Sequence, residues 1–185
     1  MKPGVFIDRD GVINVNRSDY VKSWEEFQFE AGVFESINRL VQHDFSIIVI
    51  SNQSAIGRGL VAREVVDEIH NRMIEAIAEH GGRIDAIYYC PHHPEDDCGC
   101  RKPRPGLILL AAQELDLDLP RSYFIGDAVS DVEAAHAAGC MPLFVKTGLG
   151  SDQLSQLEER GFHDVRKFPD LTDAVDFILG SFPSS

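Results

Sequence analysis

The chain has 185 residues, enough to bury one sizeable core and too few for two comfortable domains. Apolar residues make up 44%, and 17 Lys and Arg against 30 Asp and Glu give a net charge of −13. That charge argues against nucleic acid or an anionic membrane as a broad partner, and no apolar run approaches the length of a membrane span.

Met1-Lys2-Pro3-Gly4 leads directly into apolar Val5-Phe6-Ile7 with no signal-peptide pattern, so a cytoplasmic location is expected. Residues 5–7 read as a first buried strand, with Asp8-Arg9-Asp10-Gly11 just beyond it. A helix is predicted over 33–43 from Ile37, Leu40 and Val41. A second strand over 45–50 runs into Ser51-Asn52-Gln53. The stripe Val66, Ile69, Met73, Ile77 predicts a helix over 65–80, stopped by Gly81-Gly82. A third strand over 84–89 meets a run of cysteines and histidines, then Arg101-Lys102. Pro105 stands near the start of a helix carrying Ile108, Ala111, Ala112 and Leu115. Strand 123–125 ends at Gly126-Asp127, helix 130–138 follows, and strand 143–145 precedes helix 151–160. Asp170 can cap a last helix reaching Leu179. Strands alternating with helices predict one α/β domain over 1–185, a Rossmann-like, doubly wound, mostly parallel sheet. In such sheets ligands bind beyond the carboxyl ends of the strands.

Those strand ends carry the chemistry. Asp8 is ionised at neutral pH and can attack phosphorus, provided a divalent ion offsets its repulsion from the phosphate. Asp10, two residues on in extended backbone, points the same way and suits a general acid and then a base. Ser51 offers a hydroxyl donor and Lys102 a point charge to phosphoryl oxygens. Asp127 offers magnesium a hard oxygen ligand. Taken singly, each acid could be a solvated side chain or a helix cap, and a cap accounts well for Asp131. Four matched strand ends in order are not explained that way.

Asp8-Arg9-Asp10-Gly11-Val12-Ile13-Asn14, Ser51-Asn52-Gln53-Ser54, Arg101-Lys102-Pro103 and Gly126-Asp127 resemble the four motifs of haloacid dehalogenase superfamily phosphatases. The resemblance implies Asp8 as nucleophile, Asp10 as acid/base, and Ser51 and Lys102 on the phosphoryl group. It implies magnesium on the Asp8 carboxylate, the Asp10 backbone carbonyl and Asp127. The second acid, Asp10, points to a phosphatase or mutase, and the short stretch between the first two motifs leaves no room for a large cap domain, which favours phosphatase.

Cys90-Pro91-His92-His93-Pro94-Glu95-Asp96-Asp97-Cys98-Gly99-Cys100 offers three thiolates and an imidazole, the closed shell of a structural zinc site. The spacing leaves His92 and His93 both open; the resemblance implies His92. The alternative is a cluster of free thiols. Cys140, alone in an Ala-Gly context, reads as a small core residue. The loop, at 90–100, holds few apolar side chains, so a metal would fix it and thereby place Arg101 and Lys102.

This loop and its Arg-Lys-Pro ending resemble the heptose-bisphosphate phosphatases and the related histidinol-phosphate phosphatases. The resemblance implies a small phosphorylated sugar as substrate; a monomer is expected, though no motif sets the oligomeric state. Asn16, Arg17, Asp19 and Tyr20, with Ser51, Asn52, Gln53, Ser54, Arg101 and Lys102, would bind substrate. Arg101 is a spare cation for a second phosphate, whereas Arg58 and Arg104 could equally be solvated. Histidinol phosphate is the rival substrate, and a non-catalytic zinc-stabilised module is the rival of another class; the intact acids speak against the module.

Overall fold

The computed structural model describes residues 1–181. Six parallel strands form one sheet: β1 (Gly4–Ile7), β2 (Ser46–Asn52), β3 (Ala86–Cys90), β4 (Tyr123–Gly126), β5 (Met141–Val145) and β6 (Arg166–Phe168). Their order across the sheet is β3-β2-β1-β4-β5-β6, every neighbouring pair parallel. The predicted doubly wound sheet is therefore present, with its order reversing between β1 and β4. A crevice opens at such a switch point, beyond the strand ends.

Parallel strands need crossovers, and helices supply them. These are α1 (Val33–Gln42), α2 (Ser54–Gly57), α3 (Arg63–Glu79), α4 (Gly106–Glu114), α5 (Val129–Ala138), α6 (Gly150–Glu159) and α7 (Leu171–Gly180). Strand alternation divides the core in two. Val5, Ile7, Ile47, Val49 and Ile125 face Ile37, Leu40, Met73, Ile77 and Val175 of α1, α3 and α7. Phe6, Ile48, Ile50 and Phe124 face Ile108, Ala111, Ala134 and Ala135 of α4 and α5. With both faces covered, the strands read as unbroken apolar runs. Burial of this kind stabilises by roughly 25 cal/mol per Å² of apolar surface.

Helix ends follow their sequence signals. Asp170 accepts a hydrogen bond from the Asp173 N–H at 3.2 Å. Gly81 turns left-handed (φ 80°) after α3, and Gly82 N–H closes back on the Ile77 carbonyl at 3.0 Å. The boundaries differ from expectation at several ends: β2 runs on through Ser51 and Asn52, and β3 begins at Ala86. The short α2 and the edge strand β6 were not predicted. Between β1 and α1 the described chain holds one 3₁₀ turn (Trp24–Glu26) and no cap domain. No described helix is long and apolar enough to cross a membrane.

Candidate active site at the carboxyl edge

β1 ends at Ile7, and the chain turns at once instead of staying extended as expected. The Arg9 carbonyl accepts N–H bonds from Ile13 (2.9 Å) and Asn14 (3.0 Å), and Gly11 sits at φ 93°. A side chain at Gly11 would run into the Asp127 carboxylate, so the left-handed glycine also lets β4's acid approach. Asp8 and Asp10 still line one cleft with Asn16, Ser51, Asn52, Lys102, Asp127 and Asp131. The turn brings them together, where strand alternation had been expected to do so.

Three carboxylates, Asp8, Asp127 and Asp131, converge with ligand atoms within 4.8 Å of one another. One cation answers them. Lys102, 3% exposed, places its ammonium 2.8 Å from Asp8 Oδ1 and 2.7 Å from Asp131 Oδ1, and donates to the Ile50 carbonyl at 3.1 Å. Burial works against that ammonium, but Asp131 and Asp8 outweigh it and raise its pKa. Burial also raises the carboxyl pKa of Asp8, with Asp131 adding to it and Lys102 opposing. Asp127 is raised by burial and then by the charges of Asp8 and Asp131. An all-oxygen cluster with this surplus of negative charge fits a hard divalent cation.

Asp131 does two jobs. Its Oδ2 accepts from the Ala128 N–H at 3.0 Å, the cap expected from sequence, while Oδ1 faces Lys102. Its place in the acidic cluster was missed, and the only sequence signal was the Asp127–Asp131 spacing. Asp127 Oδ2 is held by the Leu149 N–H at 2.6 Å.

Asp10 is treated differently from its neighbours. Oδ1 accepts from Arg9 Nη2 (2.9 Å) and Asn14 Nδ2 (3.0 Å), and Oδ2 from Gln53 Nε2 (2.9 Å). Burial would raise its pKa, but the Arg9 charge and these three donors prevail and lower it. Gln53 uses its second N–H on Ser51 Oγ at 2.8 Å, tying the two motifs together. Asn52 clips the Lys102 backbone from both sides, donating to its carbonyl (3.2 Å) and accepting its N–H (3.1 Å).

Across the loop after β3, Cys90, His92, Cys98 and Cys100 offer ligand atoms within 4.8 Å of one another. His92 Nδ1 lies 3.1 Å from Cys100 Sγ and 3.5 Å from Cys90 Sγ. His93 faces elsewhere, its backbone N–H donating to Asp96 Oδ2 at 2.8 Å. Arg104 donates to the carbonyls of Asp97 and Cys98, both at 2.6 Å, and pairs with the Asp97 carboxylate. It braces the loop.

The chain matches the HAD-hydrolase-like family model over residues 99–174. It is 42% identical to the D-glycero-beta-D-manno-heptose-1,7-bisphosphate 7-phosphatase of Pseudomonas aeruginosa, across 79% of this chain and 82% of the relative. The Neisseria meningitidis protein of the same name as that relative is 34% identical, across 95% of this chain and 94% of its own. The chain belongs to the haloacid dehalogenase-like phosphatases. Among solved structures, the D,D-heptose 1,7-bisphosphate phosphatase of Bordetella bronchiseptica, complexed with magnesium and phosphate, superposes with a TM-score of 0.91. It is 38% identical and covers 98% of this chain and 100% of its own.

In this haloacid dehalogenase-like frame the expected sugar-binding residues divide. Asn16 and Asn52 line both the acidic cleft and an adjoining one of about 320 Å³, which Arg17, Tyr20 and Gln53 also line. Asp19 is turned to Lys22 and Arg17, and Ser54 is buried at the start of α2; neither lines either cleft. Arg101 lines a separate depression of about 260 Å³ with Pro94, Asp97, Cys98 and Arg104, joined to the acidic cleft through Lys102. Cys140 is buried in the core, as expected.

Proposed function

We propose that this chain hydrolyses the 7-phosphate of D-glycero-D-manno-heptose 1,7-bisphosphate, the β-anomer named in its relatives, as a monomer acting in the cytoplasm. The reading rests on one observation above others: Asp8, Asp10, Ser51 and Lys102 line one cleft, beside a second cleft of about 320 Å³. Asp8, the Asp10 backbone carbonyl and Asp127 would hold magnesium, with Asp131 close by. When bound, that ion offsets the repulsion between Asp8 and the phosphate.

Asp8 attacks phosphorus in line with the leaving O7, forming an acyl phosphate as the P–O7 bond breaks. Asp10 supplies the proton to O7. Three donors keep Asp10 ionised in the free protein, and an adjacent phosphate dianion raises its proton affinity. The ionised form then takes a proton from the water that attacks the acyl phosphate, releasing phosphate and restoring Asp8. Ser51 and Lys102 contact the phosphoryl oxygens.

Cys90, His92, Cys98 and Cys100 would hold a structural zinc. Three thiolates and one imidazole would supply the full ligand set of a structural site. Arg101 lines the depression that meets the acidic cleft at Lys102, and its guanidinium is suited to the 1-phosphate.

A kinetic comparison of the heptose bisphosphate, heptose 7-phosphate and histidinol phosphate tests the assignment. The bisphosphate should have the highest kcat/KM, and Arg101→Ala should narrow its lead by roughly ten- to a hundredfold, one charge-assisted contact. Preference for histidinol phosphate would overturn the substrate and leave the phosphatase chemistry standing.

A further inference from the structure

Arg9 is a buried cation with an unusual support. It is 1% exposed, it sits between the two motif acids, and beyond helping to keep Asp10 ionised it has been given no part in positioning that acid. Nη2 reaches Asp10 Oδ1 at 2.9 Å. Nη1 lies 3.2 Å from Nε2 of His70, which is 4% exposed on α3. Nε has no partner among the described residues. Among the described residues the guanidinium is therefore aimed by two contacts, one to the acid and one to the helix.

The chemistry of that second contact is fixed. A guanidinium carries donors and no acceptor, so His70 Nε2 must be the acceptor, with the ring neutral and its hydrogen on Nδ1. Burial, and then the charge of Arg9, push the His70 pKa down to about 3, in keeping with a neutral ring. The ring is further confined by Tyr89, whose centroid lies 5.2 Å away.

We propose that His70 and Arg9 form a positioning pair that aims the Asp10 carboxylate: α3 holds the imidazole, the imidazole orients the guanidinium, and the guanidinium fixes Oδ1. Asn14 and Gln53 hold the same carboxylate from the first and second motifs, and Arg9 ties it through His70 to α3, whose Ile69, Met73 and Ile77 pack in the core. A carboxylate held this way meets the leaving oxygen in one orientation, and loss of aim of about 1 Å is worth on the order of a hundredfold in rate. The inference rests on the acid/base role proposed for Asp10.

That dependence sets the test. A displaced acid slows departure of a poor leaving group far more than of a good one, whereas a damaged fold slows both. His70→Leu removes the acceptor, and His70→Gln keeps one at the same reach. First-turnover phosphorylation of Asp8 should fall about tenfold or more in His70→Leu with an alkyl phosphate and less than about threefold with an aryl phosphate, at unchanged KM. His70→Gln should restore most of the loss. In an Asp10→Asn background His70→Leu should add almost nothing, because the aimed group is already gone. Equal losses on both substrates, additive losses in the double variant, or a Gln variant as impaired as the Leu variant would overturn the pair. If His70→Leu does not fold, nitrogen NMR of the wild-type imidazole still decides: an Nδ1–H tautomer is required, and an Nε2–H tautomer refutes it. Full activity in Asp10→Asn would instead sink the acid/base reading itself, so the two failures are told apart.

Discussion

Asp8, Asp127 and Asp131 stand on strand ends and a first helical turn that the hydrophobic core already holds, whereas Cys90, His92, Cys98 and Cys100 lie in a loop with little to bury. The acids are all buried; of the four sulfur and nitrogen donors only Cys90 is. The cleft is thus preorganised by folding, and its surplus charge invites a cation that can come and go. The loop touches the core only through its cysteines and has few other apolar side chains to bury, and a closed soft-donor shell would supply what burial does not. Lys102 connects the two regions, since it lies two residues past Cys100, directly after Arg101, while its ammonium sits among the acids. One region should therefore fail by chemistry and the other by geometry.

Asp8→Asn tests the chemical side and should show the largest effect. An amide cannot form the acyl phosphate, so turnover should fall by on the order of a millionfold, the scale of losing a nucleophile. The variant should melt no lower than the parent, because it removes one of the buried carboxylates whose burial is costly. A thermal scan and a phosphate-release assay check both halves. Residual turnover within a thousandfold of the parent would move the nucleophile elsewhere.

Cys98→Ser tests the geometric side. A structural zinc contributes to order directly, and losing a thiolate should release the metal and free the loop. Lys102 would then drift from Asp8, and kcat/KM should fall by on the order of a hundredfold although Cys98 is proposed to touch no substrate. Metal analysis beside kinetics decides it. Zinc-free protein of full activity would mean that the core alone holds Lys102, with Asn52 as its clip.

Much of this contrast was legible in the sequence because each half writes a different signal. Buried parallel strands are unbroken apolar runs, so residues 5–7, 45–50 and 123–125 marked the carboxyl edge and the acids just past it. Cysteines in close spacing marked the loop. What stayed hidden depends on distance or on edges. β6 is Arg-Lys-Phe, a three-residue edge strand paired only to β5, and it has no apolar run to read. Lys102 meets Asp131 across 29 positions, so sequence showed the cap and not the ion pair. Arg9 and His70 are 61 positions apart and look like a surface arginine and a helix histidine. Asp19, read from its place in a motif, spends its carboxylate on Lys22 and Arg17, a local arrangement that motif position does not reveal.

Asp131→Asn separates the two jobs of a single side chain. An amide oxygen can still accept from the Ala128 N–H, so α5 should keep its cap. The lost charge takes one partner from Lys102 and one carboxylate from the cation site. Magnesium affinity should fall about ten- to a hundredfold, as when a supporting group beside a metal ligand is removed. Activity at saturating magnesium should recover most of the loss. A titration of kcat/KM against magnesium reads this directly; an unchanged midpoint would leave Asp131 as a cap alone.

The smallest effect is expected from Arg104→Ala, and it sharpens the comparison from the loop's outer side. Arg104 is 46% exposed and Asp97 85%, so water screens their pairing and stands ready to replace the lost donors at the Asp97 and Cys98 carbonyls. With the metal shell intact, the four ligands alone should fix the loop, and kcat/KM in excess zinc should change by less than about twofold. The brace should matter only when the shell is incomplete. Zinc loss to a competing chelator should then proceed faster, with an affinity lower by about tenfold, the lower end for a group that orients metal ligands. If activity instead falls in excess zinc as far as it does in Cys98→Ser, the protein scaffold and not the metal positions Lys102, and the division between a core-held cleft and a metal-held loop does not stand.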